Sequence, residues 1–140
     1  MTDNLPERLQ EIVDDFGFLT GQEKLEYLLQ LAGQLPPLPD RLLEQRESMD
    51  QVHECMTPVF ILAERENGRV NYYFDVPEES PTVRGFAAIL QEGLRDASPA
   101  EIQAIPLDFY REMGLHQVLS PQRLNGISAI LAHMQRLAES

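Results

Sequence analysis

The chain reads as an α+β domain, with a small antiparallel β-sheet of about three strands packed against helices from both ends of the chain. Three observations carry that reading. Apolar residues recur at helical spacing between positions 9 and 32, strand-forming residues flank a tight-turn signal between 59 and 76, and helical spacing returns from residue 80 onward. At 140 residues, one compact domain is expected, because the chain can bury a core but cannot build two ordinary domains.

Leu9, Ile12, Val13 and Phe16 fall on one helical face, which Gly17 closes. Thr20-Gly-Gln-Glu23 is a capping box, in which the hydroxyl and the carboxylate satisfy orphan amides at a helix start. Leu25, Leu28, Leu29 and Ala32 form the stripe that follows, so two antiparallel helices joined by a short turn are predicted. Leu35-Pro-Pro-Leu-Pro-Asp40 is extended, since each proline removes a donor and restricts its predecessor. A short helical turn is expected within Arg41 to Glu47.

Val59-Phe-Ile-Leu-Ala63 has the composition of a buried strand. Asn67-Gly68 suits the positive φ angles of a tight hairpin turn, and Val70, Tyr72, Phe74 and Val76 alternate on the return strand. Residues just before Cys55 are placed as a third strand, with Pro58 interrupting the pairing near the thiol. Beyond Ser80-Pro81, the residues Val83, Phe86, Ala87, Leu90 and Leu94 share a helical face. Ser98-Pro-Ala-Glu101 is a second capping box, and Pro106 to Met113 reads as a short helix stopped by Gly114. Ser120-Pro121 opens a final helix with Leu124, Ile127, Leu131, Met134 and Ala138 inward.

The formal net charge of -12 is the outlying property, and it argues against nucleic acid or an anionic membrane as partner because phosphates are repelled. It favours a basic protein partner instead. The start, Met-Thr-Asp-Asn-Leu-Pro-Glu, lacks the basic and apolar regions of a secretory signal, and no apolar run approaches the ~20 residues of a membrane span. With a single cysteine as well, the cytoplasm is the expected compartment.

That cysteine, Cys55, cannot form an internal disulfide or a cysteine-rich metal site. It is either a small buried hydrophobe or a reactive thiol, and its polar neighbours Gln51, His53, Glu54 and Thr57 favour a loop or strand end. In an extended segment His53 and Cys55 project to the same side, where an imidazolium would favour the thiolate; a solvated strand-end histidine is the other reading. Asp50 and Glu54 act against ionisation of the thiol. His116 and His133 are the other imidazoles, but no hydrolase signature surrounds Cys55, the histidines lack zinc-site spacing, and no glycine-rich phosphate loop or dinucleotide fingerprint occurs.

Four segments together resemble the SufE-type sulfur acceptor proteins of iron–sulfur cluster assembly, which include the CsdE proteins. Tyr27-Leu-Leu-Gln-Leu-Ala-Gly-Gln-Leu-Pro-Pro-Leu38 resembles a family helix that ends in a Leu-Pro connection. Val52-His-Glu-Cys-Met-Thr-Pro-Val-Phe60 resembles the family's Val-x-Gly-Cys-x-Ser-x-Val-Trp, which holds the acceptor thiol. Ser80-Pro-Thr-Val-Arg-Gly-Phe-Ala-Ala-Ile-Leu90 resembles the helix after the sheet, and Leu119-Ser-Pro-Gln-Arg-Leu-Asn-Gly126 is similar to Leu-Thr-Pro-x-Arg-x-x-Gly. No single motif is specific, but the four occur in the family's order and spacing.

The resemblance implies one SufE-like domain over residues 1–140. It also implies that Cys55 accepts persulfide sulfur from a pyridoxal-phosphate cysteine desulfurase and passes it to an iron–sulfur scaffold. The chain would then be a carrier and activator rather than a stand-alone enzyme, with no cofactor of its own, since the pyridoxal phosphate resides on the desulfurase. Arg123 matches the family's arginine after the proline and is a second site candidate, although a helix-start arginine also has a purely structural reading. Glu54 stands where the family has Gly, Met56-Thr57 replaces the x-Ser pair, and Phe60 replaces Trp. An acidic adaptor of the same fold that regulates a desulfurase without taking sulfur is the alternative.

Overall fold

The structure, a computed structural model, describes residues 5–139. Residues 1–4 of the segment read for an export signal, and Ser140 at the end of the single-domain reading, lie outside the described residues. Two N-terminal helices, α1 (Glu7–Gly17) and α2 (Gly21–Ala32), lead through the proline segment to a one-turn helix, α3 (Asp40–Leu43). Three strands follow, β1 (Asp50–Gln51), β2 (Phe60–Glu66) and β3 (Arg69–Asp75), and then α4 (Pro81–Gly93), α5 (Pro99–Gln103) and α6 (Pro121–Leu137). The fold class is the α+β arrangement expected.

The sheet is antiparallel in the order β1-β2-β3, with Asp50 opposite Ile61 and Ile61 opposite Phe74. Asn67 and Gly68 take φ of 55° and 78°, the left-handed pair that closes a two-residue hairpin. The fixed register puts Ile61, Val70, Tyr72 and Phe74 into the core. The Tyr72 hydroxyl donates to the Met134 carbonyl at 2.7 Å, tying β3 to α6. Burial pushes the Tyr72 phenol above its ordinary range, so it remains a donor.

Helix α4 is the hub, touching α1, α2, α6 and β3. Two of its glycines let the other helices approach. A Cβ on Gly85 would lie 2.3 Å from the Leu28 carbonyl oxygen of α2, and one on Gly93 would lie 2.8 Å from Leu9 Cδ1 of α1. Both capping boxes form as expected, at Thr20 with Glu23 and at Ser98 with Glu101.

Two expectations are corrected. Leu29 does not join the buried stripe of α2, being 49% exposed, and the inward line is Lys24, Leu28 and Ala32. Lys24 can be buried because its ammonium donates to the Phe16 and Leu19 carbonyls, at 2.8 and 2.9 Å, where α1 ends. A cation there satisfies orphan acceptors and opposes the negative end of the helix dipole. Lys24→Met should therefore cost about 2 kcal/mol, read from the urea midpoint, since charged hydrogen bonds are lost and the Leu19 carbonyl is left unpaired, while the Phe16 carbonyl keeps the Leu19 amide. The second correction concerns Pro106 to Met113, which is not one short helix. A 3₁₀ turn at Phe109–Arg111 is followed, after Gly114 at φ 75°, by another at Leu115–Gln117. Burying Phe109, Tyr110, Met113 and Leu115 sets the path of the segment instead.

Candidate functional site

The β1–β2 ladder ends where the Val52 amide donates to the Val59 carbonyl at 2.9 Å, and Pro58 has no amide with which to continue it. Residues 53–58 therefore leave the sheet as a loop with a narrow neck. The loop turns at once, the Cys55 amide donating to the Val52 carbonyl at 3.3 Å. That turn removes the extended geometry on which the His53–Cys55 pairing depended. His53 is exposed, and among the described residues no hydrogen bond links it to the thiol.

Cys55 is half-buried, and its thiol donates to the Gly126 carbonyl in α6 at 3.4 Å. A Cβ at Gly126 would lie 3.1 Å from Sγ, so a larger residue there would press on the seated thiol. On the other side of the loop, the Thr57 and Ser80 hydroxyls share a hydrogen bond at 2.5 Å. Ser80 precedes α4, and with its hydroxyl engaged by the loop it makes no side-chain cap. Helix α6 is capped normally, the Arg123 amide donating to the Ser120 hydroxyl at 3.3 Å.

A cavity of about 240 Å³ opens beside the thiol, between the first turns of α4 and α6. Cys55, Met56, Thr57, Pro81, Arg123 and Gly126 contribute to its wall. The structure thus brings Arg123 to the same cavity as Cys55, and among the described residues its guanidinium makes no hydrogen bond or ion pair. The positive ends of two helix dipoles and a guanidinium favour an anion in this space, and the Glu79 carboxylate on the same wall acts against it. Met56, 81% exposed, stands at the outer edge of the loop.

The resting thiol itself is held protonated. Burial first, and the Glu54 carboxylate second, push Cys55 up from 9.0 to about 11. Glu54 is held below the usual carboxylate range, by its own backbone amide first and by a hydrogen bond from His133 second. Nothing in the order of residues connects these two, which are 79 positions apart. His133 is buried on α6, with Glu54 Oε1 3.0 Å from Nε2 and the Asp50 carboxylate against Nδ1. Among the described residues no group of three or more His, Cys, Asp or Glu is arranged to hold a metal ion, and no helix is long and apolar enough to cross a membrane.

The profile of the SufE family, described as an Fe-S metabolism associated domain, matches residues 10–138. The chain belongs to the SufE family. A SufE-like protein of Mycobacterium tuberculosis is 46% identical over 134 residues, covering 95% of this chain and 92% of its own length. The sulfur acceptor protein CsdE of Escherichia coli is 33% identical over 111 residues, covering 78% of this chain and 72% of its own. The solution structure of a hypothetical protein from Thermus thermophilus superposes with a TM-score of 0.84 at 37% identity, covering 96% of this chain and 95% of that one. The SufE assignment agrees with the resemblance read from the four segments, of which residues 52–60 contain the loop just described.

Proposed function

We propose that this SufE-family chain accepts persulfide sulfur from a cysteine desulfurase onto Cys55, thereby enhancing desulfurase turnover, and relays the sulfur to an iron–sulfur scaffold. The observation that carries the reading is a lone thiol on a narrow-necked loop, seated beside a cavity with room for further atoms. A loop leaving a rigid sheet can carry its side chain into another protein's active site without disturbing the core. The CsdE relative, named as a sulfur acceptor, supports the same chemistry.

In the transfer, the Cys55 thiolate attacks the terminal sulfur of a persulfide on the desulfurase cysteine. The new bond joins Cys55 Sγ to that sulfur, the old S–S bond breaks, and the desulfurase cysteine leaves as a thiolate. The exchange is redox-neutral, and the proton from Cys55 passes to solvent or the leaving thiolate. On return to its seat, the added sulfur occupies the cavity, where about 240 Å³ exceeds the ~30 Å³ share of one water-sized group. Arg123 then lies beside the anionic sulfur, and His53 travels with the thiol on the same loop. The pyridoxal phosphate stays on the desulfurase. A net charge of -12 favours a basic docking face and disfavours nucleic acid or anionic membrane, and the proposed compartment is the cytoplasm.

One observation supports the adaptor alternative, namely that the thiol is protonated at rest and faces a carboxylate. The two readings separate with Cys55→Ala in a cognate desulfurase assay containing cysteine and reductant. Wild-type protein should raise sulfide release, and the variant should bind without raising it. Equal stimulation by both proteins would select the adaptor.

A further inference from the structure

We infer that Glu54 and His133 form a latch that holds the acceptor loop against α6, making His133 a positioning residue for Cys55. The latch builds on the proposed acceptor role, in which Cys55 must leave its seat to meet a partner.

Among the described residues, three side-chain links tie residues 53–58 to the helices. One is the thiol bond to the Gly126 carbonyl, weak because sulfur is a poor donor. The second is the Thr57–Ser80 hydroxyl pair on the α4 side. The third is the bond between His133 Nε2 and Glu54 Oε1, which joins the residue immediately before the thiol to α6. Of the three, this last one carries an ionised group.

The surroundings of His133 support the third link in the two ring forms that carry a proton on Nε2. Asp50 of β1 and Arg136 of α6 both meet Nδ1, the guanidinium nitrogen at 2.7 Å, and Arg136 also lies 3.4 Å from Asp50 Oδ2. A protonated Nδ1 donates to Asp50, and an unprotonated one accepts from Arg136. Nε2 donates to Glu54 in the imidazolium, whose Nδ1–H meets Asp50, and in the neutral Nε2–H tautomer, whose Nδ1 accepts from Arg136. The ring is therefore fixed by β1 and its own helix, while its far nitrogen is directed at the loop.

The two ends of the latch differ in exposure. The His133 side chain is 7% exposed and the Glu54 side chain 60%, so the anchor is rigid while water competes for the carboxylate. Such a bond biases the loop toward its seat yet yields to a partner's surface.

The test is the rate at which Ellman's reagent labels the intact native protein, corrected for the thiolate fraction from an absorbance titration of each variant. No desulfurase is present, so this result stands apart from the sulfur-transfer assay. Glu54→Gly and His133→Leu should each speed corrected labelling about fivefold, and the double variant should label no faster than either single one. A structural role for His133 unrelated to Glu54 would instead make the two effects multiply. Wild-type labelling by folded His133→Leu, or multiplication in the double variant, would overturn the latch. Should His133→Leu fail to fold, two changes at exposed Glu54 decide the matter. Glu54→Lys places a cation toward His133 and Arg136 and should label about fivefold faster than Glu54→Gln, which keeps an acceptor oxygen. Equal corrected rates for those two would overturn it.

Discussion

At pH 7 the Cys55 thiol of the free protein should react with Ellman's reagent about a hundredfold more slowly than an unperturbed cysteine. The thiolate is the nucleophile, and raising the thiol from 9.0 to about 11 removes about two decades of thiolate at neutral pH. The rate should climb about tenfold per pH unit until it levels near 11. Glu54→Gln should lower the midpoint but leave it above 9.0, because burial is the larger cause and remains. The same shift has a signed consequence for stability. The folded state favours the protonated thiol, so this contribution is full below the unfolded value of 9.0 and is lost as pH rises through about 11. A midpoint at or below the ordinary value would show that the thiol is not seated as described.

Gly85→Ala should destabilise the domain by roughly 3 kcal/mol, one of the larger effects available from a single methyl group. Its Cβ would lie 2.3 Å from the Leu28 carbonyl oxygen and 2.9 Å from Leu28 Cδ1. The oxygen belongs to the backbone of α2, so the strain cannot be relieved by a change of rotamer. Either α2 and α4 separate or the variant unfolds, and alanine's helical advantage of about 1 kcal/mol over glycine offsets only part of the loss. Gly17→Ala is the control, because a Cβ there meets nothing within 4 Å. It should be neutral or mildly stabilising in the same urea titration. A Gly85→Ala midpoint equal to wild type would contradict the close approach of α2 and α4.

Local features of this fold were legible because their causes are local. Thr20 with Glu23, Ser98 with Glu101, and Asn67-Gly68 each specify their geometry within a few residues, and each forms as read. The third strand, read as lying just before Cys55, forms at Asp50–Gln51, and its pairing stops where Pro58 interrupts the partner strand. Lys24 was not, because a buried ammonium becomes acceptable only once α1 ends over it and offers two carbonyls. The roles of Gly85 and Gly93 were hidden likewise, as a missing Cβ matters only against a neighbouring helix.

The site divides along the same line. Cys55, its loop and the cavity-lining Arg123 follow from the acceptor motif and the helix start at Ser120-Pro121. Of the two readings of His53, exposure to solvent is the one that fits, because the chain turns where the thiol pairing needed an extended segment. His133 had no local signal at all. Its significance depends on α6 crossing behind the loop, which brings together residues 79 positions apart.

The central claim is that Cys55 receives sulfur, and intact mass spectrometry tests it most directly. Incubation with a cognate cysteine desulfurase and cysteine, without reductant, should add the mass of one sulfur atom to the wild-type chain and nothing to Cys55→Ser. An unchanged wild-type mass, in a mixture where the two proteins demonstrably form a complex, would contradict the account.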